Sequence, residues 1–179
     1  MRYGSAFRRR LTAAALPAFL LLGGCGFHLA STVQHLPPVM AQTCIQSGEP
    51  YGYLENQLRN AIRAQGSEVS DTCTDKTAVL AIVKHSFKRR VLAVNARGQP
   101  QEYLLIYTVT FSLNDSHGKT LLKNATLKLQ SEQAYAVSNE LGAGRRQDVV
   151  LRYLQREASR LIMLRLAFLD KHPRPPAKN

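Results

Sequence analysis

Acidic residues are scarce in this chain: 12 Asp and Glu stand against 24 Lys and Arg, giving a formal net charge of +12. No apolar run reaches bilayer length. The uncharged stretch from Leu11 to Leu22 covers 12 residues, whereas a spanning helix needs roughly 20. There is no Gly-x-Ser-x-Gly elbow and no phosphate loop ending in Lys-Ser or Lys-Thr, the usual marks of a hydrolase nucleophile and a nucleotide site. The five histidines, His28, His35, His85, His117 and His172, are scattered with no His-x-x-x-His spacing, so neither a metal site nor a cofactor is expected. No residue stands out as nucleophile or general base. No internal repeat is visible, and cysteines are few: Cys25, Cys44 and Cys73.

What the chain does have begins at its N-terminus. Arg2, Arg8, Arg9 and Arg10 precede the apolar stretch, which ends in small residues, the order of a secretory signal. Leu22-Gly23-Gly24-Cys25 is similar to the bacterial lipobox, where cleavage precedes the cysteine and its thiol, nucleophilic as the thiolate, receives a diacylglyceryl group. The competing reading is an ordinary signal with a chance cysteine, and it lacks an Ala-x-Ala site. On the lipobox reading residues 1–24 are lost and Cys25 anchors the chain to a membrane, two or more acyl chains giving stable attachment. The remaining 155 residues suffice for one domain with a core. Loss of four arginines lowers the charge to +8, a surplus suited to anionic lipid, acidic polysaccharide or an acidic protein face. Export removes nucleic acid as the default partner. Cys44 and Cys73 then form an even pair in an oxidising compartment, either a disulfide or two buried free thiols.

Residues 25–38 end in Pro37-Pro38 and read as a tether; 39–170 form the domain; 171–179, with three prolines, read as a disordered tail. Val39 to Ile45 is expected as a first strand. Leu54, Leu58, Ala61 and Ile62 recur at helical spacing, with Gly66 as a stop. Thr77 to Val94 starts as a continuous apolar run and then alternates. Tyr103, Leu105, Tyr107, Val109, Phe111 and Leu113 share one face of a third strand, and Leu121 to Gln130 returns after an "NDSHG" turn. A final helix is expected from about Arg146 to Leu169. Strand, helix, three strands, helix predicts an α+β two-layer sandwich, two helices packed on one face of a four-stranded mixed sheet.

The lipobox followed by Gly26-Phe27-His28-Leu29, the Pro-Pro bend, the βαβββα order, Arg97-Gly98-Gln99 and Glu102-Tyr103 together resemble the LPS-assembly lipoprotein family, LptE, from about Cys25 to Leu169. The resemblance implies a non-catalytic lipoprotein of the cell outer membrane, periplasm-facing and seated as a plug in the lumen of an LptD-like β-barrel. It also implies binding of lipopolysaccharide during delivery to the outer leaflet, with Arg97 as a contact.

Several cations are candidates for such binding. Arg97 lies in a Gly- and Pro-containing turn, where a guanidinium can grip a phosphate bidentately; otherwise it is a solvated loop arginine. Gly142, Gly144, Arg145 and Arg146 are expected to precede the last helix, where free N–H groups attract anions, or to form an ordinary loop. In Phe87 to Arg90, Lys88 and Arg90 share a strand face and Arg89 takes the other. That face suits an anionic lipid or an acidic barrel lumen, or is simply a solvated edge. Arg152, Arg156 and Arg160 form a basic stripe on the last helix, which an amphipathic helix also shows on its water side. A lipid-anchored periplasmic enzyme and a generic polyanion-binding lipoprotein are the competing functions. Mass spectrometry of the native chain should find Cys25 acylated; an unmodified thiol there would contradict the anchor.

Overall fold

Long strands alternate their side chains between two faces, and here that periodicity builds most of the molecule. The computed structural model describes residues 35–134 and 140–169, with the backbone alone for 140–144. The signal segment, Cys25, most of the tether and the tail lie outside the described residues. The elements run β1 (Gln42–Ser47), α1 (Tyr53–Ala64), β2 (Glu68–Ser70), β3 (Ala78–Val94), β4 (Pro100–Asn114), β5 (Thr120–Ala134) and α2 (Glu140–Ala167). They form a mixed sheet in the order β2-β1-β3-β4-β5, with β1 parallel to both β2 and β3 and the remaining pairs antiparallel. No helix among the described residues is long and apolar enough to cross a membrane.

The two helices and the mixed sheet agree with the expected α+β class, but the sheet has five strands rather than four. The extra one, β2, is three residues long, too short to show a period, and follows the turn at Gly66, whose φ is +82°. The first strand starts later than expected, because Pro38–Met40 form a 3-10 turn that buries Met40. Thr43 Oγ1 donates to the Met40 carbonyl at 2.8 Å, tying that turn to β1.

One face of the sheet carries the core. Tyr107, Val109, Phe111 and Leu113 of β4 are at most 1 % exposed and pack with Leu80 and Ile82 of β3, Leu58 and Ile62 of α1, and Leu154, Ala158 and Ile162 of α2. On α1 the buried residues Leu54, Leu58 and Ile62 recur every four, the spacing that brings side chains to one helical face.

The helix-facing side of β3 is set by a bulge. Ile82 pairs with Phe111 and Lys84 with Thr110, leaving Val83 as an extra residue that is 54 % exposed. An inserted residue reverses the alternation beyond it. Were Val83 paired regularly instead of bulged, the lysine at 84 would share the core face with Ala78, Leu80 and Ile82. With it, His85 and Phe87 take that face, paired with Val109 and Tyr107.

The connection from β2 to β3 passes over β1, and the Cys44–Cys73 disulfide fastens it there, with S–S 2.01 Å and Cα–Cα 5.3 Å. Cys44 pairs with Val79, so it points to the face opposite the core, yet it is 0 % exposed. Closing a loop with a sequence separation of 29 stabilises by about 3–4 kcal/mol in the loop-entropy view. Replacing Cys44 and Cys73 together by alanine should lower the urea-unfolding free energy by about that amount; an unchanged midpoint and slope would show that the bridge contributes nothing.

Candidate functional site

Arg97 sits at the tip joining β3 to β4, on a turn held by one side chain. Asn95 Oδ1 accepts hydrogen bonds from the backbone N–H of Arg97 at 2.9 Å and of Gln99 at 3.0 Å, while its amide donates to Gln99 Oε1 at 3.0 Å. Gly98 has φ +75°, a conformation that costs a residue with a Cβ. An asparagine bonding its own backbone two and four residues on, followed by a left-handed glycine, makes a compact hairpin turn. The turn from β4 to β5 uses the same device, with Asp115 accepting from His117 and Lys119 and Gly118 at φ +79°. Arg97 is exposed and has no ion pair among the described residues.

Lys88, Arg89 and Arg90 are all exposed and divide as a strand requires. Lys88 pairs with Ile106 and Arg90 with Leu104, on the face away from the helices. Arg89 pairs with Leu105 on the other side, where its guanidinium stacks 4.6 Å from the Tyr103 ring centroid. Such stacking uses a cation that would otherwise be free.

Arg145 and Arg146 are exposed, but not where the sequence led one to expect them. The last helix begins at Glu140, so both arginines, with Gly142 and Gly144, lie inside α2 rather than before it. Arg145 and Arg146 therefore stand in the second turn, beyond the first-turn residues whose N–H groups lack an intrahelical partner. The glycines suggest a loop because each costs about 1 kcal/mol in a helix, a cost that a helix of 28 residues absorbs. What the topology does bring together is one end of the sheet. Ala134, the last residue of β5, lies opposite Glu102, and α2 starts six residues later. The helix bearing Arg145 and Arg146 thus follows in sequence from the strand end on the Arg97 side of the sheet.

Among the described residues, groups fit for catalysis do not converge in an open cleft. A polar cluster surrounds Glu55, which is 1 % exposed and accepts a hydrogen bond from Ser47 Oγ at 2.6 Å. It stands in the first turn of α1, where a carboxylate offsets the helix dipole. His85 Nε2 lies 3.6 Å from Glu49 nearby. Burial pushes the Tyr107 hydroxyl up to about 12, and the Gln155 side chain offsets part of that rise. The phenol oxygen nonetheless has no well-formed hydrogen bond. A groove of about 480 Å³ between α1 and α2 is lined by Gln57, Asn60, Gln65, Arg156 and Arg160, with no acid or histidine. There Arg160 donates to Glu157, which holds that carboxyl below its ordinary value. Among the described residues no three His, Cys, Asp or Glu side chains are placed to hold a metal ion. Sequence reasoning missed Asn95, Val83 and Glu55. Only Asn95 carried a signal, as the first residue of an Asn-x-x-Gly turn.

Comparison with known proteins gives a consistent picture. A model of the lipopolysaccharide-assembly family LptE matches residues 40–166. The chain is 29 % identical over 93 residues to the LPS-assembly lipoprotein LptE of Pectobacterium atrosepticum, covering 51 % of this chain and 50 % of that protein. Against the protein of the same name from Yersinia enterocolitica it is 30 % identical over 93 residues, 51 % of this chain and 44 % of that one. The matches thus span about half the length of these curated relatives or less. Among solved structures, an uncharacterized lipoprotein B from Nitrosomonas europaea superposes with a TM-score of 0.67 at 20 % identity, covering 82 % of this chain and 93 % of that one. The rare lipoprotein B from Shewanella oneidensis gives 0.65 at 20 %, covering 73 % and 96 %. At that identity the likeness is one of fold.

The buried phenol yields a prediction. Tyr107 keeps its proton in the fold to about pH 12, whereas in the unfolded chain it ionises near 10. Its contribution is therefore complete below pH 10 and is lost as pH rises toward 12. Tyr107→Phe should leave stability at pH 7 equal or raise it by about 1 kcal/mol, because an unbonded hydroxyl leaves the core, and should flatten the loss between pH 10 and 12. Thermal melts across that range check it, and a variant with wild-type pH dependence would contradict it.

Proposed function

Because the chain belongs to the lipopolysaccharide-assembly LptE family, we propose that it is a lipid-anchored envelope lipoprotein, held by Cys25, that seats in the lumen of an LptD-like outer-membrane β-barrel and contacts lipopolysaccharide on its way to the outer leaflet. It acts by binding and scaffolding and performs no catalytic step. Barrel lumens are wet and polar, and both layers of this domain present charged or hydroxylated side chains outward. A folded plug that binds only the assembled barrel stabilises that state by mass action.

What supports the lipopolysaccharide contact is Arg97, exposed and without an ion pair among the described residues, on a turn fixed by Asn95; α2, which bears Arg145 and Arg146, follows in sequence from the strand that ends opposite Glu102. Because the turn is already ordered, gripping a phosphate there costs little conformational entropy. The lipid A head of lipopolysaccharide carries phosphates, which a guanidinium engages bidentately. The cationic surplus also favours a second reading, a polyanion-binding lipoprotein with no barrel partner.

Affinity purification from solubilised outer membrane separates these readings. An outer-membrane barrel should co-purify and persist at high salt, since a large plug interface does not rest on screened surface charge alone; its absence would leave only the polyanion reading. Arg97→Asp should weaken lipopolysaccharide binding roughly tenfold, the loss of one charge-assisted contact, with an unchanged thermal melt. Unaltered binding would remove Arg97 from the site.

A further inference from the structure

The helices cover one face of the sheet, and among the described residues no element packs over the opposite face of β3, β4 and β5 along four successive cross-strand rows, from Lys84 to Arg90. No bulge interrupts the ladders there: the shifts in β3 fall at Val83 and beyond Val91, and those in β4 beyond Phe111. The face therefore behaves as one regular platform. Its charged members are Lys84, Lys88 and Arg90 on β3 and Lys128 and Glu132 on β5, every one exposed. Four cations thus stand against one acid, and none of the four is in an ion pair among the described residues. On β4 between them lie the shorter side chains of Leu104, Ile106, Thr108 and Thr110, with Leu104 and Thr110 buried between the flanking strands' longer side chains; Thr110 bonds Thr126 across the strands at 3.0 Å.

A face that only meets water gains from interspersed signs of charge. This one is nearly of single sign, and its cations stand on a lattice. Along a strand, same-face side chains repeat about every 7 Å, and neighbouring strands lie about 4.8 Å apart. Another β-sheet packed face to face has the same repeat, so acids at alternate positions of its strands can meet these cations row by row. Mobile lipid headgroups or a coiled polysaccharide have no such fixed repeat.

We infer that the open face, with Lys84, Lys88, Arg90 and Lys128, docks on an acid-bearing β-sheet wall, the inner surface of the barrel partner. The inference rests on the barrel reading above and adds which face meets the wall and the charge that the wall carries. Lys88 and Arg90 are thereby assigned to the partner rather than to lipopolysaccharide. Complementary charge of this kind fixes register and excludes wrong orientations more than it adds affinity. Reversal, which opposes like charges, is therefore more informative than neutralisation.

The test co-expresses the full-length lipoprotein with its barrel and compares capture from solubilised outer membrane. K84E/K88E/R90E/K128E should recover no more than about a tenth of the wild-type barrel, a difference of about 1.4 kcal/mol or more. A helix-side reversal, R152E/R156E/R165E, should stay within about twofold of wild type, which corresponds to about 0.4 kcal/mol. Capture of the sheet-face variant at wild-type levels overturns the assignment of the face while leaving the barrel reading intact. Failure of the wild-type chain to capture any barrel overturns both. Should the reversed variant misfold, a photo-crosslinker at Ser86 or Thr126 in the otherwise natural chain decides. Adducts to barrel strands beside acidic residues are expected, whereas adducts from Arg152 with none from Ser86 or Thr126 contradict the assignment.

Discussion

Side chains on a strand alternate between two faces, so one extra residue reverses every side chain beyond it. In β3 that residue is Val83. Before it, Ala78, Leu80 and Ile82 fill the core beneath the helices; after it, His85 and Phe87 hold the same face while Lys84, Lys88 and Arg90 turn away. A strand of 17 residues with no bulge would drive Lys84 toward the core, at the cost of desolvating its charge. The separation of an apolar, helix-covered face from a cationic open face follows from this one insertion.

The remaining architecture serves the same separation. The crossover from β2 to β3 lies on the open side of β1, where Cys44 and Cys73 hold it down and shield that part of the sheet. Farther along, β3, β4 and β5 continue without β1 or β2 beside them, and the buried core-face members of β4 run from Leu105 to Leu113. Beyond that limit the sheet carries its cations toward the Arg97 turn, with the Arg89 stack on Tyr103 occupying the helix-side face.

Much of this was legible in the residue pattern. The alternation from Tyr103 to Leu113 identified both β4 and its buried face, and the four-residue spacing of Leu54, Leu58 and Ile62 with Gly66 behind it marked α1 and its end. Lys88 and Arg90 were rightly placed together, because two residues on one regular strand must share a face. Three features were not legible for physical reasons. β2 is too short to have a period. The start of α2 is masked by Gly142 and Gly144, whose local preference a long helix overrides. The bulge at Val83 is a property of pairing with β4, and nothing local distinguishes Val83 from the apolar residues before it. The pairing of Cys44 with Cys73 was equally open, since proximity in space is not written in sequence spacing. Arg97 was identified as a turn residue, but the role of Asn95 in ordering that turn emerged only from the hydrogen bonds.

A protein that works by occupying a partner leaves a different trace from one that turns over a substrate: its loss changes how much of the partner reaches its folded state. Folded barrel in the outer membrane, measured by its heat-dependent shift in electrophoretic mobility as this lipoprotein is depleted from growing cells, therefore bears most directly on the account. A scaffold predicts that folded barrel falls in proportion to the lipoprotein. Undiminished folded barrel in cells that have lost the chain would contradict it.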